Sequence, residues 1–320
     1  MKTELPRAFE FIDEAEFDLS LINVSENETY RLDCADGRRF ALRLNRPGYH
    51  THAEIESEMA WLDALHEGKI IRAAKPLLGR NGKHLQSLGA REAVLFEWQE
   101  GREPLITDNL VGLAEALGSI AARLHNHVER WQRPAGFTRP RWDFAAALGT
   151  EMRWGDWRKG LGVTPQMLPL YARTVGLIEQ RLQAYGEAPN RFNLIHGDLR
   201  LANLLMEGDI IKVIDFDDSG FGWLMYDAAT MVSFHEHERH VPELIASWVK
   251  GYRALRPLAK TDEEEIKTFI VFRRLLLTAW LGSHSEIDLA RELKPTFARQ
   301  TADLCEAYLG QHGNISMSLD

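Results

Sequence analysis

Between Asn193 and Asp227 the chain sets three polar side chains, Asp198, Asn203 and Asp215, among apolar neighbours (NLIHGDLRLANLLMEGDIIKVIDFDDSGFGWLMYD). Asn203 follows Asp198 by five positions, and Asp215 follows Asn203 by twelve. Lys212-Val213-Ile214 ahead of Asp215 reads as a short buried strand that presents a carboxylate at its end, and Leu194-Ile195 ahead of His196 reads the same way. A buried carboxylate without a partner is strongly disfavoured. Acids placed at the ends of apolar runs therefore need partners, and the natural ones here are a metal ion and a polyphosphate.

The rest of the chain divides in character near residue 100. Asp18–Val24 alternates with period two, and Glu28–Cys34 and Arg38–Leu44 follow, joined by the hairpin signal Ala35-Asp36-Gly37. Thr51–His66 places Ile55, Met59, Leu62 and Leu65 on one helical face. His84–Leu88 and Glu92–Trp98 complete a mostly antiparallel sheet with one helix, ending at the linker Gln99-Glu100-Gly101. Helical patterns follow at 108–128, 165–185, 227–236, 242–255, 262–281 and 290–309. The 320 residues are enough for two well-buried lobes.

Composition removes several classes of function. A net charge of −9 argues against a nucleic-acid partner. The longest apolar stretch, Phe269–Gly282, is broken by Arg273-Arg274 and is too short to span a bilayer, so no membrane partner is expected. Cys34 and Cys305 are far apart, which indicates neither a disulfide framework nor a zinc ribbon. The first residues, MKTELPRAFE, carry no apolar core of signal-peptide type, and a cytoplasmic location is expected.

The pattern H-x-D-x-x-x-x-N followed by a strand-borne Asp resembles kinase catalytic machinery. Phosphoryl transfer asks a protein for positioning and charge neutralisation more than for covalent chemistry. Magnesium takes oxygen ligands and keeps several waters, so one carboxylate and one amide oxygen suffice, with phosphate oxygens completing the shell. That assigns Asp215 and Asn203 to the metal. Asp198 then orients the acceptor hydroxyl and takes its proton, while His196 holds the loop.

The resemblance extends to the aminoglycoside phosphotransferase, choline kinase and homoserine kinase-like superfamily. Its H-G-D-x-x-x-x-N is here His196–Asn203, its I-D-[FW]-[ED]-D is Ile214–Asp218, and its Y-D-L-A is Tyr226–Ala229. R-P-G-Y-H at 46–50 is similar to bacterial members of the group. The resemblance implies an α+β, protein-kinase-like bilobal fold. A small antiparallel β-sheet N-lobe with one helix would cover 1–98, a hinge 99–101, and a larger, mainly helical C-lobe with the acceptor pocket 102–320. It implies an ATP- and magnesium-dependent transfer of the γ-phosphoryl group to a hydroxyl of a small molecule: an amino alcohol, hydroxy amino acid, sugar or aminoglycoside.

By position, the resemblance places Ser25 in the phosphate-covering loop, Arg43 at the ATP-gripping lysine, and Glu58 at the helix glutamate that pairs with it, with Glu54 as the runner-up. Phe96 would back the adenine, and Glu97 and Gln99 would offer backbone groups to its edge. Two departures stand out. Arginine replaces the lysine and keeps its charge with a different geometry. Asp217 replaces the glycine of the protein-kinase D-F-G, where it could help hold a second metal. The Ser25 loop lacks G-x-G-x-x-G, and no P-loop motif occurs. A bacterial Ser/Thr protein kinase and a nucleotide-binding pseudokinase are the alternatives; the first lacks an A-P-E-like element, and the intact Asp198, Asn203 and Asp215 weigh against the second.

Overall fold

The computed structural model describes residues 3–10, 12, 16–24, 26–294 and 296–312. The chain divides into two compact units that are not contiguous in sequence. The first comprises Met1–Pro104, Arg130–Pro140 and Ala202–Asp218, and the second Leu105–Glu129, Arg141–Leu201 and Ser219–Asp320.

The first unit is built on a five-stranded antiparallel sheet. Its strands are β1 (Phe17–Val24), β2 (Glu28–Cys34), β3 (Arg39–Leu44), β4 (Gln86–Leu88) and β5 (Arg91–Glu97), in the order β1-β2-β3-β5-β4. The turn at Ala35-Asp36-Gly37 joins β2 to β3, with the Gly37 amide donating to the Cys34 carbonyl at 2.9 Å. Strand alternation sends Leu32, Leu42, Ala93 and Leu95 to one face, where they are buried with Leu5, Phe9 and Ile12. Register between β3 and β5 sets Arg43 opposite Val94 and Phe40 opposite Glu97.

One helix, His52–Glu67, accompanies this sheet, together with the short helix Leu5–Ala8, which the sequence pattern does not announce. Thr51 caps the longer helix in a full capping box: its hydroxyl accepts from the Glu54 amide, and the Glu54 carboxylate accepts from the Thr51 amide at 2.7 Å. Ile55, Met59, Trp61, Leu62 and Leu65 are its buried apolar residues.

A two-stranded hairpin, Leu204–Glu207 with Ile210–Val213, also belongs to the first unit. Its first strand pairs with Arg102, whose amide donates to the Met206 carbonyl at 3.0 Å. Gly101 makes this approach possible. Its φ is +134°, and a Cβ there would lie 3.0 Å from the Met206 carbonyl oxygen.

The second unit is mainly helical. Its long helices are Leu110–Arg130, Leu168–Tyr185, Val241–Arg253, Lys260–Ser283 and Phe297–His312. Two of them approach backbone to backbone. A Cβ at Gly118 would meet the Trp248 carbonyl oxygen at 1.9 Å, and one at Gly251 would meet that of Glu115 at 1.8 Å. The helical pattern over 290–309 resolves into two pieces, Asp288–Leu293 and Phe297–His312. Similarly, the pattern over 227–236 yields only Tyr226–Thr230, after which the chain runs in turns to His240. A small sheet, Arg141–Trp142, Gly220–Trp223 and Phe192–Ile195, carries the chain into His196. Among the described residues no helix is long and apolar enough to cross a membrane.

Candidate active site

In the second unit, Phe192–Ile195 is the apolar strand expected before His196, and it is paired antiparallel with Gly220–Trp223. The turn that follows is held from beneath by Asp227. The buried carboxylate of Asp227 accepts from the amides of His196 (3.2 Å) and Gly197 (2.8 Å) and lies 3.1 Å from His125 Nε2. Thr230 accepts from the Leu199 amide at 3.0 Å. His196 is fully buried, and its Nδ1 accepts from the Asp198 amide at 3.2 Å, a loop-holding contact.

Asp198 is 7% exposed, and its carboxylate is shared between two arginines. Arg200 Nε donates to Oδ2 at 2.9 Å, and Arg273 Nη2 donates to Oδ1 at 2.5 Å. Burial pushes the Asp198 carboxyl up, but Arg200 and Arg273 outweigh it and hold the group below the ordinary carboxylate range. Arg273 comes from the middle of the helix Lys260–Ser283 and is itself 2% exposed. It also donates to Ser233 Oγ and to Tyr226 Oη, each at 3.0 Å, and its guanidinium lies 5.1 Å from the Trp154 ring centroid.

The remaining site residues fall in the first unit. Arg43, on β3, meets Glu58, on the helix His52–Glu67, through two parallel hydrogen bonds of 2.8 Å. Both are buried, and Glu54 is not the partner: its carboxylate serves the helix cap. Burial alone would drive Arg43 toward neutrality, but Glu58 and Asp217 keep it firmly charged. Its Nε is buried and has no hydrogen-bond partner among the described residues. Phe96 lies beneath the guanidinium, 5.5 Å from ring centroid to Cζ.

Asn203 is buried at the head of the hairpin, and its carbonyl accepts from the Ile214 amide at 2.9 Å, which brings the chain at Asn203 beside the chain entering Asp215. Asp215 is exposed and adopts φ +61°, a left-handed conformation that is strained for most residues and tolerated by aspartate. Strain of this sort is characteristically stored at functional sites.

Asp217 lies in a dense network. Its Oδ2 accepts from Asn27 Nδ2 at 2.8 Å, and its Oδ1 is 3.6 Å from Arg43 Nη1 and 3.5 Å from His50 Nε2. Arg139 donates to its main-chain carbonyl. Burial raises this carboxyl, but Arg43 and His50 hold it far below the ordinary range. Tyr49 donates to Asp218 at 2.6 Å, so the R-P-G-Y-H segment is fastened to the acidic run through both Tyr49 and His50. Glu97 ends β5 with its carboxylate 3.0 Å from Lys75, and Gln99 Nε2 lies 3.5 Å from the Glu97 carbonyl. Ser25 lies outside the described residues.

Two arginines make contacts that their place in the sequence does not announce. In the sequence Arg273 is only an interruption of an apolar stretch. Arg139 is buried, as are Trp142, Trp154 and Trp157, and it ties Glu54, Phe216 and Asp217 together by their main-chain carbonyls. The signal available for Arg273 was two consecutive arginines inside an otherwise apolar helix. The histidine-rich run from His235 to His240 forms turns in which Glu236 is buried against Arg274 at 2.7 Å.

A profile of the Phosphotransferase enzyme family matches residues 19–263. The chain belongs to that family. This phosphotransferase is 38% identical to a microcompartment-associated aminopropanol kinase of known structure; the match covers 98% of this chain and 97% of the other, with a TM-score of 0.89. Amicoumacin kinase of Bacillus subtilis is 23% identical over 283 residues, covering 83% of this chain and 80% of its own. A structure of an amicoumacin kinase with AMP-PNP, Ca2+ and Ami is 19% identical, with a TM-score of 0.76 over 94% of this chain and 92% of that one, a likeness of fold. The phosphotransferase is thus a kinase of small molecules with a protein-kinase-like fold.

Proposed function

We propose that this phosphotransferase moves the γ-phosphoryl group of ATP to the hydroxyl of a small amino alcohol. The observation that carries the acceptor class is the 38% identity, over nearly the whole of both chains, to an aminopropanol kinase.

In this reading Arg43, held charged by Glu58, grips the nucleotide phosphates. Its buried, unpaired Nε–H is the kind of donor that a phosphate oxygen satisfies. Phe96, Glu97 and Gln99 receive the adenine, and Ser25 belongs to the loop covering the phosphates. Asn203 and Asp215 fit a magnesium ion: one amide oxygen and one exposed carboxylate are the hard donors it selects, and the phosphates supply more. When bound, the metal neutralises charge on the phosphate oxygens. Asp217 was also expected at the metal. Its contacts with Asn27, Arg43 and His50 support a further part in holding Arg43 and the acidic turn in place, beside its proposed place at the metal.

Asp198 accepts a hydrogen bond from the acceptor hydroxyl and aims its oxygen at the γ-phosphorus. The new P–O bond forms as the bond to the β–γ bridging oxygen breaks; ADP leaves with that electron pair, and the hydroxyl proton passes to the Asp198 carboxylate. A carboxylate held below its ordinary pKa is a weak base. Its main service is orientation, with proton transfer following late, as a loose phosphoryl-transfer transition state allows.

The test is an ADP-release assay across amino alcohols, hydroxy amino acids, sugars and aminoglycosides, with ATP and magnesium. The reading requires the highest kcat/KM among the amino alcohols. A clear preference for another class would refute that assignment.

A further inference from the structure

We infer that Arg273 is the positioning residue of the Asp198 carboxylate: a rigid, buried clamp that fixes the orientation in which Asp198 meets the acceptor hydroxyl. The inference rests on the reading of Asp198 given above.

The two arginines on Asp198 differ in kind. The Arg200 side chain is 30% exposed and adjoins Asp198 in sequence, so it can turn toward an incoming anion. The Arg273 side chain is 2% exposed and projects from a helix of 24 residues. Each of its three nitrogens has a partner: Nε on Ser233, Nη1 on Tyr226 and Nη2 on Asp198. A planar guanidinium with three directed contacts cannot rotate without breaking them, and the Trp154 ring lies against it. Oδ1 of Asp198 is thereby pinned, while Oδ2 is met by the more exposed Arg200.

A lysine cannot reproduce this. Its ammonium is a point charge on a flexible stem and could reach Asp198 only by giving up the anchors that define the angle. Arg200, Arg273 and His196 all act on the Asp198 carboxylate, so losing Arg273 removes a permanent cation from beside it.

The experiment measures kcat and the separate KM values for ATP and acceptor in Arg273→Lys, Arg273→Gln, Asp198→Asn and the double variant Asp198→Asn/Arg273→Gln, with circular dichroism and thermal melts on each. The expected result for Arg273→Lys is a folded protein with the KM for ATP unchanged and kcat lowered about 10- to 100-fold, a part of the contribution typical of a positioned acid–base group. Arg273→Gln lowers kcat further, and in the Asp198→Asn background it has little additional effect, because residues acting as one unit are not additive. Full activity in Arg273→Lys would overturn the inference. So would an equal loss from Arg273→Gln with and without Asp198, which would make Arg273 a general support of the fold. If Asp198→Asn alone kept wild-type kcat, the reading of Asp198 itself would fall, and the inference with it; that outcome is separate from the first two.

Discussion

Arg43 and Glu58 form a two-pronged ion pair, both prongs at 2.8 Å and both residues buried, at the place where the family resemblance leads one to expect lysine. The fork geometry explains why arginine serves here. It takes both Glu58 oxygens with its terminal nitrogens and still has Nε–H to offer.

Arg43→Lys should therefore keep the charge and lose one prong. The expected outcome is a KM for ATP raised several-fold with kcat within about tenfold of wild type. Arg43→Met leaves Glu58 and Asp217 buried together with less compensation. It should lower stability by about 3–5 kcal/mol, the usual consequence of removing one partner from a buried pair. Urea denaturation checks the second, steady-state kinetics the first.

Asp217 makes the fold sensitive to acid in a definite direction. Its carboxyl is held well below its unfolded value of about 3.9 by Arg43, His50 and Arg139. A lowered folded pKa contributes stability that is fully present above the unfolded pKa and is lost as pH falls through that value toward the folded one. Thermal melts should show Tm falling below about pH 4. Asp217→Asn should flatten that part of the curve while lowering Tm at neutral pH. An unchanged acid slope in this variant would remove Asp217 from the account.

Asp227 anchors the turn that carries Asp198, by way of the His196 and Gly197 amides and His125. Asp227→Asn retains the shape but can present only one oxygen to those donors. The expected outcome is a loss of about 1–3 kcal/mol from the unsatisfied buried groups, with a reduced kcat. Hydrogen exchange at Gly197 offers a direct local check: protection there should fall.

Asp215 and Asn203 make metal dependence testable. Asp215→Asn should raise the magnesium concentration needed for half-maximal activity by at least about tenfold, since a carboxylate ligand carries charge that an amide lacks. A variant with an unaltered magnesium titration would contradict the assignment.

What could be read in the sequence was chemistry confined to short local spacing. His196, Asp198, Asn203 and Asp215 stand within twenty positions of one another, and phosphoryl transfer limits which residue types can occupy them. The first sheet was equally legible, because the turn at Asp36-Gly37 and the period-two alternation fix it locally. What could not be read depends on distant partners. Arg273 reaches Asp198 across 75 residues and Asn27 reaches Asp217 across 190, and neither arginine nor asparagine announces its partner. Asp217 shows the same limit: an acid two positions beyond Asp215 suggests a metal ligand, and nothing local announces the contacts with Asn27, Arg43 and His50. The break between Leu293 and Phe297 is a similar case, where a continuous apolar period concealed two helices.

The proposed role of Asp198 is to serve phosphoryl transfer to a small amino alcohol. Its most direct measurement is 31P NMR of wild type and Asp198→Asn, each incubated with ATP, magnesium and 1-amino-2-propanol. The expected result is an O-phosphorylated amino alcohol with the wild type, and formation slowed at least about 100-fold in Asp198→Asn with ATP affinity intact. Absence of any phosphorylated amino alcohol with the wild type, or equal rates in the two proteins, would contradict it.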